Sequence, residues 1–221
     1  MENLNNKIIK KPWGYEYSVY EDENFCIWFL HIHENESTSM HCHPNKTTKL
    51  VLLDGVAKIS FLSNDKIITS LDFIKFDKRE FHSTRSLSQN GIYLFEIESL
   101  NDKDDLVRLS DKYGREDLNY EFNSYKIGFA ENFNLSALGN SKFNFSGCCL
   151  QVFNISNIDD LPFVADGLYI ILKGIFYSQN NSRTFELITP GDVVKTNDFT
   201  LIKKKITFVS DECKILLISK E

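Results

Sequence analysis

Short segments rich in Val, Ile, Phe and Tyr alternate with clusters of Asn, Asp, Ser and Gly along most of this chain. Three examples are FCIWFLHI, GIYLFEIES and CKILLIS. Segments of this composition, bounded by turn residues, predict the strands of an all-β sandwich or barrel. Helical periodicity is weak, and its best candidates are residues 102–114, DKDDLVRLSDKYG, and the region around residues 130–138.

Parts of this pattern recur about 120 residues later. NFCIWFLHIH begins at Asn24 and NFSGCCLQVF at Asn144, 120 positions apart, and apolar segments around Gly55 and Gly174 are 119 apart. The matches are short, so chance similarity is the alternative to a duplicated β-unit. We predict a duplication, with one domain at residues 1–117 and a second at 118–221.

Composition and charge exclude several classes of protein. The chain has 221 residues, is 42% hydrophobic and carries a net charge of −6, which disfavours nucleic acid as a partner. No apolar run approaches the ~18 residues of a membrane helix. Five cysteines, with Cys148 and Cys149 adjacent, indicate reduced thiols rather than a disulfide framework. We expect a cytoplasmic protein, and a homodimer is possible.

Three of the five histidines are spaced as metal ligands would be. His41 and His43 lie two residues apart, so on a strand both side chains point to the same side. His82 follows a later strand. Convergence of three imidazoles with open coordination positions is typical of a catalytic site for Zn, Fe, Mn or Ni. The second pair, His31 and His33, has no downstream partner and is expected to face solvent or pack under a turn.

Four motifs carry a resemblance to a known family. HCHPNKTTKLVLLDG and DFIKFDKREFH resemble the two motifs of the cupins, and KPWGYE and DKDDLVRLSDKYGRE resemble the opening and closing signatures of the cupin domain of type II mannose-6-phosphate isomerases. The resemblance covers about residues 10–117. It implies a double-stranded β-helix, or jelly-roll, barrel with a metal held by His41, His43 and His82. With the duplication, it predicts two cupin barrels in one chain.

The chain departs from the cupin pattern at one ligand. Counting back from Gly55, the glutamate of the first cupin motif falls at position 48, which is Thr48 here. The resemblance therefore implies a three-histidine site without a carboxylate at this position.

The second half of the repeat lacks the ligands altogether. Under the 120-residue offset the three histidines correspond to Leu161, Phe163 and Ile202, and no histidine follows His82. We expect the second barrel to be degenerate, with an apolar interior.

Two glutamates are candidate catalytic groups. Glu96 and Glu98 lie on one face of a predicted strand, with Phe95 and Ile97 on the other. If the glutamate face lines the barrel, one carboxylate serves as a base or completes the coordination of the metal. The alternative, which the cost of burying unpaired carboxylates favours, is that both face solvent.

Basic residues near the motifs are candidates for binding a phosphate, because arginine binds it through two parallel hydrogen bonds. Arg115 is a catalytic candidate in the closing signature, and the substrate-binding candidates are Lys49, Arg79, Arg85 and Arg108. A surface position is the alternative for each, and Asp105 with Arg108 has the spacing of an intrahelical pair.

Three functions fit these residues. The first is a metal-dependent isomerase or epimerase that acts on a sugar phosphate or nucleotide sugar in polysaccharide synthesis. The second is a three-histidine iron dioxygenase that acts on a small molecule. The third is a sugar-binding or regulatory cupin without catalytic activity.

Overall fold

A computed structural model describes residues 7–118, 120, 124–125, 134–135, 138 and 141–220. Contacts between Cα atoms divide the chain into two compact units, Met1–Asn134 and Leu135–Glu221. The division that we predicted from the repeat, after residue 117, stays a prediction. Within the described residues, no helix is long and apolar enough to cross a bilayer.

The first unit is built from antiparallel strands. In chain order they are β1 (Ile8–Lys11), β2 (Gly14–Glu21), β3 (Cys26–Ile32), β4 (Met40–Cys42), β5 (Thr48–Asp54), β6 (Val56–Phe61), β7 (Asp65–Thr69), β8 (Phe73–Phe76), β9 (His82–Ser86), β10 (Ile92–Glu98), β11 (Val107–Ser110) and β12 (Ser124–Tyr125). They form one sheet in the order β12-β1-β2-β3-β10-β5-β8 and a second in the order β11-β4-β9-β6-β7.

Both sheets contribute to one core. Trp28 and Leu52 of the larger sheet and Ile59 and Ile68 of the smaller sheet belong to the same buried cluster. Alternation of apolar and polar residues buries one face of each strand against the other sheet. The unit is thus a two-sheet β-barrel, as the sequence predicts.

The second unit repeats this arrangement. Its elements are β13 (Lys142–Phe145), β14 (Cys148–Ile155), β15 (Gly167–Lys173), β16 (Phe176–Asn180), β17 (Arg183–Ile188), β18 (Val193–Lys195), α1 (Thr196–Lys203), β19 (Phe208–Val209) and β20 (Cys213–Lys220). The order β13-β14-β20-β15-β18 reproduces β2-β3-β10-β5-β8 of the first unit. The predicted all-β fold with two cupin barrels is confirmed.

The counterparts of the three histidines show why the second unit has no equivalent site. Leu161 follows a 3-10 turn, Phe163 is 66% exposed, and Ile202 lies in α1. The core of this unit is filled by apolar side chains, including Phe176 and Phe199. The expectation of an apolar interior holds for this core, although Phe163 itself lies at the surface.

One turn is repeated almost atom for atom in the two units. The backbone N–H and the hydroxyl of Thr69 donate to Asp72 Oδ2 at 3.0 Å each. Thr189 donates in the same way to Asp192 Oδ2 at 2.9 and 3.0 Å. Since the turns lie 120 residues apart, they support duplication over chance similarity.

We expect Asp72→Ala and Asp192→Ala to lower the free energy of unfolding by similar amounts, about 1 kcal/mol each, because each removes two hydrogen bonds to one carboxylate. Urea unfolding measures both effects. Tryptophan fluorescence reports the first unit, which holds both tryptophans, and far-UV circular dichroism reports the whole chain. Asp→Asn variants keep an acceptor and are the controls. A loss in only one of the two variants would contradict the equivalence of the turns.

The predicted helix at residues 102–114 is wrong. This segment contains β11, which pairs with β4. Most of the second helix candidate, 130–138, lies outside the described residues. Asp105 is not in an intrahelical pair with Arg108, because its carboxylate accepts hydrogen bonds from the backbone N–H groups of Asn45 and Lys46 at 3.0–3.1 Å. Partners distant in the sequence thus override the local helical spacing.

Candidate metal centre and charged cavity

The three predicted metal-binding histidines come together in the first unit. His41 on β4 lies directly opposite His82 on β9, and His43 follows β4. The ring centroids of His41 and His82 are 4.5 Å apart, and those of His41 and His43 are 5.0 Å apart. Nitrogens of all three rings lie within 4.8 Å of one another, which is close enough to hold one ion.

Hydrogen bonds fix the orientation of all three rings. Each Nδ1 lies near a backbone carbonyl oxygen: Ser39 for His41 at 2.8 Å, Asp105 for His43 at 2.7 Å and Glu80 for His82 at 2.9 Å. A carbonyl only accepts, so each Nδ1 donates and carries the proton. Each Nε2 then presents a lone pair, which is the tautomer of histidines that bind metals.

The free nitrogens fit a divalent cation. Nε2 of His43 and of His82 is buried and has no hydrogen-bond partner in the part of the chain that the structure describes. Burial lowers the pKa of His43 to about 4 and that of His82 to about 3, so both rings are neutral at pH 7. Burial, followed by the charge of His82, places the pKa of His41 well below its usual value. Neutral imidazole is the form that binds metal.

Both glutamates point into the barrel, so the interpretation that they face solvent is wrong. Glu98 is 1% exposed and Glu96 is 9% exposed. Phe95 and Ile97, on the other face of β10, are buried as well. The sequence could not decide between the faces because side chains on both faces of β10 are buried, so the strand shows no contrast between an inner and an outer face.

Lysines compensate the buried carboxylates. Lys46 Nζ donates to Glu98 Oε1 at 2.8 Å. Lys103 Nζ lies 3.4 Å from Glu98 Oε2, 3.7 Å from Glu96 Oε2 and 3.8 Å from Glu16 Oε1. Lys103 also lies over the Trp28 ring, 3.9 Å from its centroid. A buried charge needs such partners.

The two glutamates titrate differently because their neighbours differ. Burial raises the pKa of Glu98, but the charges of Lys103 and Lys46 outweigh it and lower the pKa to about 2. Burial and the charge of Glu98 raise the pKa of Glu96 to about 7. A permanently ionised carboxylate therefore lies beside one that can take up and release a proton near neutral pH.

A cavity with a positive balance of charge adjoins the metal centre, and His41, His43 and both glutamates are part of its wall. Its ionisable walls, the histidines aside, are Lys11, Lys46, Lys103, Arg108, Arg115, Glu16, Glu96 and Glu98. Cations outnumber carboxylates even when Asp111, which binds Arg115 at 2.7 Å, is included. A positive cavity in a chain of net charge −6 suits an anionic ligand.

Four of the predicted catalytic and substrate-binding residues line this cavity, and three do not. Glu96, Glu98, Arg108 and Arg115 are part of the wall. Lys49, Arg79 and Arg85 lie outside it; Arg79 and Arg85 are exposed and Lys49 is half-buried. Arg85 points outwards because His82 and Thr84 of the same strand point inwards.

Sequence reasoning missed three charged groups of the wall. Lys11 and Glu16 lie in the opening signature KPWGYE, and Lys103 lies in the closing signature. The signal that would have found them is the resemblance itself, since these signatures join in one wall. Lys46, which also lines the cavity, lies within the first cupin motif and belongs to the basic residues near the motifs that the sequence offers for binding an anion.

The second histidine pair lies apart from the three converging rings. His31 is buried, so it does not face solvent, and its ring stacks on Tyr15 with centroids 5.2 Å apart. His31 Nε2 lies 3.0 Å from His33 Nδ1. The His31 ring lies so close to Gly91 that a Cβ atom added to this glycine would come within 3.0 Å of the ring. The ring therefore packs under the turn at Gly91, which is the second of the two positions expected for this pair.

Comparison with known proteins concerns the first half of the chain. The family described as "Mannose-6-phosphate isomerase C-terminal" matches residues 2–111. A mannose-1-phosphate guanylyltransferase of Salmonella montevideo is 26% identical over 116 residues, which cover 52% of this chain and 25% of that protein. The guanylyltransferase of Escherichia coli strain K12 is 22% identical over 52% of this chain and 24% of its own length. The chain thus spans about a quarter of these relatives.

Solved structures resemble this chain at lower sequence identity. A protein with a double-stranded β-helix domain from Klebsiella pneumoniae aligns over 46% of this chain and 89% of its own, with a TM-score of 0.42 and 11% identity. The family match, the strand order and the converging histidines all concern the first unit. The N-terminal half of this chain is therefore a cupin domain of the kind found at the C-terminus of mannose-6-phosphate isomerases.

Proposed function

We propose that the first unit is a divalent-metal-dependent isomerase or epimerase that acts on a sugar phosphate or nucleotide sugar in polysaccharide synthesis. One observation carries the proposal: three neutral imidazoles, oriented by backbone carbonyls, face a common centre beside two buried carboxylates. The match to a family named for mannose-6-phosphate isomerase supports the substrate class.

The residues of the cavity supply what such a reaction needs. His41, His43 and His82 would hold the ion, and a bound divalent ion acts as a Lewis acid towards a carbonyl oxygen. An aldose–ketose interconversion moves a proton between adjacent carbons and needs a carboxylate or imidazole within reach. Glu96, at the cavity wall with Lys103 as its nearest cation at 3.7 Å, is the group that we assign to this transfer.

The basic wall would bind the anionic part of the substrate. Arg108 and Arg115 both line the cavity. Arg115 donates hydrogen bonds from Nε and Nη2 to the carboxylate of Asp111, at 2.9 and 2.7 Å, and these bonds hold the guanidinium in place. A fixed guanidinium loses little freedom when it binds a phosphate. We therefore assign substrate binding to these two arginines, although the sequence offers Arg115 as a catalytic candidate, and proton transfer to Glu96.

Turnover assays test this function. Protein purified without a histidine tag and loaded with Mn²⁺, Zn²⁺ or Fe²⁺ is expected to interconvert hexose phosphates or nucleotide sugars of the mannose series. Arg108→Met is expected to raise KM at least about 10-fold with a smaller change in kcat, because it removes a charge that binds substrate and transition state alike. The control is Lys75→Met, which removes one positive charge from an exposed ion pair with Asp77. Absence of turnover with every metal and sugar would contradict the proposal.

A second candidate rests on the ligand set. Thr48 replaces the usual carboxylate ligand, and a three-histidine site is compatible with an iron dioxygenase. Oxygen uptake by the Fe²⁺ form with a small organic substrate would favour this candidate over isomerisation. Binding of sugar phosphate without turnover or oxygen uptake would instead favour a regulatory cupin.

A further inference from the structure

We propose that Glu98 supplies, from the neighbouring strand, the carboxylate ligand that the first cupin motif lacks at Thr48. This inference rests on the proposed metal site and goes beyond it in assigning a fourth protein ligand.

Strand register places Glu98 beside the missing ligand. Thr48 of β5 and Glu98 of β10 are direct partners in the antiparallel pairing of the two strands. Side chains of direct partners project to the same side of the sheet, with Cβ atoms about 5 Å apart. Both residues are 1% exposed, so both point into the closed barrel. A glutamate at position 98 therefore enters the space that a glutamate at position 48 would enter.

The donor atoms around His43 support this assignment. One nitrogen of His43 and one oxygen each of Glu96 and Glu98 lie within 4.8 Å of one another. His43 also belongs to the three-histidine group, so the two carboxylates and the other two histidines lie around the same imidazole ring. The hydroxyl Oγ1 of Thr48 is buried there without a hydrogen-bond partner among the described residues.

The two oxygens of Glu98 differ in how closely they are contacted. Oε1 accepts hydrogen bonds from Lys46 Nζ at 2.8 Å and from Lys103 Nζ at 3.4 Å, whereas Oε2 has only longer contacts, to Lys103 Nζ at 3.4 Å and Cys26 Sγ at 3.6 Å. A carboxylate that binds metal through one oxygen usually accepts a hydrogen bond at the other.

Asp105 positions both ligands. Its carbonyl accepts from His43 Nδ1 at 2.7 Å, and its carboxylate accepts from the backbone N–H of Lys46 at 3.0 Å. Lys46 in turn holds Glu98. Asp105, a residue of the closing signature, therefore orients the His43 ring directly and the Glu98 carboxylate through Lys46.

Metal titration of four proteins tests the inference. Mn²⁺ and Co²⁺ affinities are measured by calorimetry for the wild type, Glu98→Gln, Glu96→Gln and the transposed variant Thr48→Glu/Glu98→Thr. We expect Glu98→Gln to weaken binding by at least about 10- to 100-fold, the range known for loss of a group that supports a ligand. It should also change the d–d absorption of bound Co²⁺. Glu96→Gln should leave the spectrum unchanged, and the transposed variant should bind within about 10-fold of the wild type, because it returns a carboxylate to the same space.

Each other outcome has a defined meaning. Weaker binding by Glu98→Gln with an unchanged Co²⁺ spectrum would overturn the inference, because Glu98 would then act only through its charge. Unchanged affinity would overturn it too. If Glu98→Gln does not fold, the transposed variant Thr48→Glu/Glu98→Thr provides the test. The inference is overturned if this variant folds but binds no Co²⁺. Failure of the wild type to bind any ion would instead remove the proposed function itself.

Discussion

Substitution of His82 by alanine is expected to abolish stoichiometric binding of a divalent metal and, with it, turnover. The change removes one of three imidazole nitrogens that face a common centre. Loss of a group that merely supports a ligand weakens metal binding by about 10- to 100-fold, so loss of a ligand should exceed about 100-fold. Elemental analysis of tag-free protein and calorimetric titration with Mn²⁺ measure the effect.

Packing must be separated from coordination in this experiment. His82 stacks on Phe76 with ring centroids 3.7 Å apart, so alanine also leaves a cavity. His82→Gln fills more of this space and should lose the metal equally. His33→Ala, an exposed histidine of the same unit, should keep it. Metal content equal to that of the wild type in both His82 variants would rule out the three-histidine site. Loss of turnover with retained sugar-phosphate binding would favour an enzyme over a regulatory cupin.

Substitution of Lys46 by methionine is expected to lower the free energy of unfolding of the first unit by about 3–5 kcal/mol, the usual effect of removing one partner from a buried ion pair. Lys46 and Glu98 side chains are each 1% exposed, and their atoms lie 2.8 Å apart. Methionine leaves the buried Glu98 carboxylate with only the longer contacts to Lys103 Nζ at 3.4 Å and Cys26 Sγ at 3.6 Å. Urea unfolding followed by fluorescence of Trp13 and Trp28 reports on this unit.

Burial, rather than distance, should decide the size of this effect. Lys75 and Asp77 lie even closer, at 2.7 Å, but their side chains are 53% and 74% exposed. Lys75→Met should therefore change stability by less than about 1 kcal/mol. Lys46→Met/Glu98→Leu should recover much of the lost stability, because no buried charge is then left without its partner. Equal effects of Lys46→Met and Lys75→Met would show that the cavity is hydrated and that burial of the pair is not what stabilises it.

Most of the fold could be predicted from local pattern. Short apolar and aromatic runs bounded by turn residues define strands such as β3 and β10, whose side chains are buried on both faces. The pairs Gly55/Gly174 and Asp72/Asp192 recur because the same turns recur in two barrels. Local pattern failed at residues 102–114, where long-range pairing with β4 overrides helical spacing.

The sequence by itself determined which imidazoles are candidates, since two lie two residues apart and the third closes a recognisable motif. It could not determine the role of Glu96 and Glu98. A strand covered on both faces shows no contrast between inside and outside, and the stability of a buried carboxylate depends on cations from elsewhere in the chain. Only the tertiary structure brings Lys46 and Lys103 to Glu98, and strand pairing places that carboxylate opposite Thr48.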